Sequence, residues 1–81
     1  EARKELNKKI RKAEKEVDEA ENSVENLENE ISDMQHQLEN PQKASDPDFI
    51  MLLQKKQREL EQKMYEWEIL SEELEQLRTE Q

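Results

Sequence analysis

Eighty-one residues allow at most one domain, and with 43% charged and 31% hydrophobic side chains they cannot fill a layered globular core. Burial is left to a narrow stripe. The formal charge of −9 argues against strong general affinity for polyanions, and the absence of cysteine excludes a disulfide framework or a thiolate metal site.

Strong helix formers dominate, a composition that also fits a disordered acidic chain, so periodicity has to decide. From Leu6 onward the apolar residues fall at Leu6, Ile10, Ala13, Val17, Ala20, Val24, Leu27, Ile31, Met34 and Leu38. Steps of four and three alternate without fault, which is the a/d seam of a coiled coil. A single helix over about residues 2–39 is predicted.

The stretch "ENPQKASDPDF", 39–49, holds both prolines of a chain that has no glycine. Pro41 is expected to end the first helix and to bias Asn40 away from the helical region. Asp46 followed by Pro47 reads as an N-cap with proline at the first helical position, and Asp48 adds favourable charge to the first turn. The turn is therefore placed at about 40–46, with Gln42, Lys43 and Ala44 exposed at its end. A connection this short favours antiparallel neighbours.

The second helix is predicted over about 47–80. Leu53, Leu60, Met64, Trp67, Leu70, Leu74 and Leu77 mark its face, with Gln57 at one seam position. From Met64 to Leu70 the steps run three and three, a stammer-like slip of the repeat. Charge supports the antiparallel pairing. Residues 1–12 carry +4, 13–40 carry −9, 41–63 carry +1 and 64–81 carry −5. Folding back at the prolines sets the basic start against the acidic end, and Lys55, Lys56 and Arg58 near Glu28, Glu30 and Asp33. A parallel homodimer would instead face the cations from Arg3 to Lys12 against their own copy. A fold centred on residues 43 and 44 pairs Ile10 with Leu77, Ala13 with Leu74, Val17 with Leu70, Ala20 with Trp67 and Leu27 with Leu60. The expected fold is all-α, two long antiparallel helices forming a coiled-coil hairpin with a short proline-containing turn. So thin a core is marginal, and homodimerisation in isolation is compatible with it.

Little points to chemistry. Without glycine no phosphate-binding loop can form, and His36 is the single histidine, expected in solvent. Glu72 and Glu73 read as a solvated face, and Asp46 and Asp48 as capping residues rather than a metal-carrying tip. No catalytic, cofactor or metal site is expected. The longest apolar run, "FIMLL" at 49–53, is far below the ~20 residues that span a bilayer, and no membrane partner is expected. No signal peptide is visible, and a start at Glu1 without methionine suggests a piece excised from a larger protein.

The basic start carries the main functional candidate. Lys4, Lys8, Arg11 and Lys15 line up opposite Leu6, Ile10 and Ala13 and point to solvent, where they can meet phosphates. The competing reading is a solubilising face. Arg3 and Lys9 flank the seam, within reach of glutamates from the second helix. Trp67 reads as seam packing, and Tyr65 as a part-exposed ring that can stack on a base.

The lysine-rich start, the heptad helix, the "DPDF" turn and "LLQKKQRELEQKMYEWEILSEELEQL" together resemble the C-terminal hairpin of the ABC-F proteins, cassette ATPases with two ATPase domains and no membrane part. That family follows a DP-acid-aromatic turn with a leucine-rich helix carrying Y-x-x-W-E-x-L. The counterpart here is "MYEWEILSEELEQL", with Tyr65, Trp67, Glu68 and Leu70, its tyrosine and tryptophan one residue closer than in the commonest form. The resemblance implies a cytoplasmic parent that binds ATP and magnesium and acts in translation at the ribosome. It also implies a tight, 3₁₀-like turn near the tip and a hairpin that contacts nucleic acid, DNA or ribosomal RNA. No cassette motif is present, so the hairpin itself is expected neither to bind nor to hydrolyse ATP. The nucleic-acid candidates are Lys4, Lys8, Arg11 and Lys15, with Lys43 at the tip, and binding is expected to be weak and salt-sensitive. Two alternatives stand beside it: a structural spacer or dimerisation module without nucleic-acid binding, and an arm resembling that of seryl-tRNA synthetase.

Overall fold

The computed structural model describes residues 2–80. Two long helices, α1 (Ala2–Gln37) and α3 (Pro47–Thr79), lie side by side and are joined through a single-turn helix, α2 (Pro41–Ala44). The result is a rod with extents of 62 × 15 × 14 Å. Opposite chain directions follow from the contacts. Leu53 clusters with Ile31 and Met34 near the connection, while Glu80 lines a depression with Arg3, Leu6 and Asn7 at the other end. The Lys56–Glu30 ion pair between them fits a fold centred on residues 43 and 44.

The nine seam residues of α1 from Leu6 to Met34, and Leu38 just beyond its end, are all buried or half-buried, so the alternating period is a packing period. Deepest are Ile10, Ala20, Val24, Ile31 and Met34 on α1 and Leu53 and Leu74 on α3. None of the large described side chains is fully enclosed. Two helices cannot surround a residue, so each seam position keeps an open edge to water.

The connection is built by caps. α1 ends at Gln37, two residues before the predicted boundary, and its last turn tightens: Glu39 N–H donates to the His36 carbonyl and Asn40 N–H to that of Gln37. Pro41 does not terminate α1. It occupies the first turn of α2, where its missing N–H would be unpaired in any case. The Asn40 side chain accepts from Gln42 N–H at 3.0 Å, and Ser45 Oγ donates to the Pro41 carbonyl at 2.8 Å. Asp46 then caps α3, its carboxylate accepting from Asp48 N–H at 3.0 Å. Both capping residues have extended backbones, with φ of −80° and −88°. No described residue needs a positive φ, which is how a chain without glycine reverses. Replacing Asp46 by alanine is expected to lower stability by about 1 kcal/mol in thermal melts, the ordinary loss for an N-cap carboxylate.

α3 corrects the predicted seam. Gln57 is exposed and Met64 is 45% exposed, so neither faces α1. The residues turned toward α1 are Phe49, Leu53, Lys56, Leu60, Lys63, Trp67, Leu70, Leu74 and Leu77. Their steps alternate four and three throughout, so the repeat does not slip. Lysines hold two of the positions. Their aliphatic stems cover apolar surface while the ammonium groups reach out to carboxylates, Lys56 to Glu30 at 2.7 Å and Lys63 to Glu66 at 3.4 Å. Of the three cations expected to meet the acidic middle of α1, only Lys56 does so; Lys55 and Arg58 are exposed on other faces.

The Glu30 carboxylate holds Lys56 above its ordinary value of 10.5, first through the hydrogen bond and then through its charge. A raised value in the folded chain stabilises it below the unfolded value, and the gain is lost as pH rises through the folded one. Melting temperatures of the wild type and Lys56→Gln should therefore differ at neutral pH and converge in strongly alkaline buffer.

Candidate nucleic-acid interface

Lys4, Lys8, Arg11 and Lys15 ride on the first four turns of α1, whose opposite face is anchored by Leu6, Ile10 and Ala13 against α3. All four are exposed. Their four-three-four spacing corresponds to rises of roughly 6, 4.5 and 6 Å, a row about 16 Å long on a rigid support. Among the described residues none of the four is in an ion pair. Their charge therefore stays available to an external anion. Lys12 belongs beside them. It is exposed and stands four residues after Lys8 and three before Lys15. That spacing is legible in the sequence, but a reading limited to the line opposite the seam passes over it.

Lys43 is separate. It sits in α2 at the far end of the rod, more than about 30 Å of helix beyond Lys15. Its ammonium lies 5.3 Å from the centroid of the Phe49 ring, a contact that fastens the tip to the first turn of α3. The five candidate residues thus divide into one row of four and one isolated cation.

Arg3 and Lys9 are exposed and, among the described residues, form no ion pair with the glutamates of α3. Arg3 instead borders the depression shared with Leu6, Asn7 and Glu80. Tyr65 is 65% exposed on α3, facing away from α1, so it looks to the opposite side of the rod from the cationic row and cannot stack on a base held there. Trp67 is half-buried in the seam, with its indole N–H enclosed and unpaired. His36 stands in solvent, Nδ1 at 3.4 Å from the Glu39 carboxylate. Among the described residues no three His, Cys, Asp or Glu side chains are grouped to hold a metal ion, and no helix is long and apolar enough to cross a membrane. Asp46 already serves the Asp48 N–H.

Comparison with protein-family models, with curated proteins and with solved structures finds no match. The functional reading rests on the residues themselves.

Proposed function

We propose that this chain is a non-catalytic arm that contacts the phosphate backbone of nucleic acid through the α1 row of Lys4, Lys8, Arg11 and Lys15. In this reading it is the antiparallel coiled-coil hairpin of an ABC-F-type protein, with ATP handled by cassette domains elsewhere in the parent. The observation that carries it is the row itself: four unpaired, outward cations at near-regular spacing on an otherwise acidic chain. Contacts of this kind position a protein on nucleic acid without reading its sequence. The acidic remainder of the rod repels the same backbone, which limits contact to the basic end and keeps it weak.

The test is binding of the chain to a labelled DNA duplex and a labelled RNA hairpin, followed by fluorescence anisotropy at low salt. Lys8→Glu combined with Arg11→Glu should weaken binding about tenfold or more, because two attractive contacts become repulsive. Lys43→Glu should leave it nearly unchanged, since that cation lies at the other end of the rod. A second reading, a spacer that binds no nucleic acid, is favoured by the 62 Å length of the rod. It predicts no binding of wild type or variant to either probe.

A further inference from the structure

The two helices differ on the faces they turn away from each other. Among the described residues every exposed large hydrophobic side chain, Met51, Leu52, Met64, Tyr65 and Ile69, belongs to α3. The outward face of α1 continues from its cations through Asp18, Asn22, Glu25 and Asn29, polar throughout. On α3, Met51, Lys55, Arg58, Gln62, Tyr65 and Ile69 are all exposed and follow one another in steps of four and three. At about 100° per residue Met51 lies some 200° around the helix from Phe49, so this is a second heptad stripe opposite the first. Met51, Tyr65 and Ile69 give this stripe apolar ends around a polar centre, a surface that can accept a second helix on the side away from α1.

We propose that the outward stripe of α3 pairs antiparallel with the same stripe of a second copy of this chain. Self-complementarity selects that occupant. A two-fold axis near residue 60 sets Met51 against Ile69 of the second copy, Lys55 against Tyr65 and Arg58 against Gln62, each pair occurring twice. Every layer then joins an a position to a d position, as antiparallel helices require. Charge selects the direction. The first half of the stripe holds Lys55 and Arg58, and the second half is flanked by Glu66 and Glu68. Antiparallel pairing brings Lys55 over a tyrosine face and beside those glutamates, and Arg58 beside Glu59 and Glu61 of the second copy. Parallel pairing would stack each cation on its own copy. Among the described residues neither Lys55 nor Arg58 is in an ion pair within the chain. The contact spans about 27 Å of helix and buries on the order of 1,000 Å², the low end for a specific interface. Polar layers at its centre fix the direction and keep the dimer weak. The cationic row of α1 stays outside it, so this dimer stands or falls independently of nucleic-acid binding.

Sedimentation equilibrium of the full chain across ~10 μM to ~1 mM should show a monomer–dimer equilibrium with Kd in the range of roughly 10–300 μM. Tyr65→Lys with Ile69→Lys should weaken it at least about tenfold, because the new lysine at 65 faces Lys55 of the second copy and the one at 69 faces Met51, while leaving helicity and dilute-solution melting unchanged, since both side chains are exposed. Direction is read by oxidising single-cysteine variants. Met51→Cys mixed with Ile69→Cys should cross-link to a heterodimer faster than Met51→Cys cross-links to itself. A monomer over the whole range, a double-lysine variant that dimerises as well as wild type, or faster Met51→Cys self-linking would each overturn the proposal.

Discussion

Ile31→Asp should abolish the cooperative melt of the chain. Ile31 is 6% exposed and forms a buried cluster with Met34 and Leu53, backed by Leu38, Phe49 and Leu60. A carboxylate placed there loses its water without gaining a partner, and the apolar contacts of the isoleucine go with it. Together these cost about 4 kcal/mol or more. A two-helix seam has little stability in reserve. Far-UV circular dichroism should show a large loss of helix at ambient temperature. The same substitution at Ser32, one residue on and exposed, should move the melt only slightly. Equal effects at the two positions would mean that the seam does not hold the helices together.

The second large effect runs the other way. Lys63→Leu should stabilise the chain by about 1–2 kcal/mol, because a leucine at this seam position buries more apolar surface than a lysine stem. Ala20, Ser23 and Leu70 border the same depression as Lys63, so there is room for it. The exposed Lys63–Glu66 pair lost in the exchange contributes little. Met64→Lys, at the neighbouring position, should be close to neutral because Met64 does not face α1. Thermal melts at one protein concentration compare the two directly. If Met64→Lys is the costly change and Lys63→Leu the neutral one, the phase of α3 has been assigned wrongly.

That pair of residues also shows where sequence reading reaches its limit. From Leu6 onward the apolar residues of α1 are the seam residues, so hydrophobic periodicity alone finds the face. On α3 lysines hold two seam positions while methionine, tyrosine and isoleucine are exposed outside, so following apolar identity leads to Met64 and creates an apparent slip. Spacing was the better guide: from Phe49, alternating steps of four and three reach Leu77 without interruption. The start of α3 was legible because Asp46 and Pro47 are local signals. The end of α1 was less so. Pro41 is compatible with stopping one helix or starting another, and the choice depends on Asn40 accepting from Gln42 N–H. For the candidate site, helical spacing predicted the exposed cationic row. The turn at 40–46 likewise placed Lys43 at the tip, away from the row; what spacing could not show is its contact with the Phe49 ring.

The most direct test of the proposed phosphate contact is the salt dependence of binding to a DNA duplex. Four phosphate contacts predict a slope of about −3.6 when log K is plotted against log salt concentration, and Lys8→Glu with Arg11→Glu should reduce its magnitude to about half or less. No detectable binding at low salt, or a slope that the double reversal leaves unchanged, would contradict the assignment of the α1 row as a nucleic-acid contact.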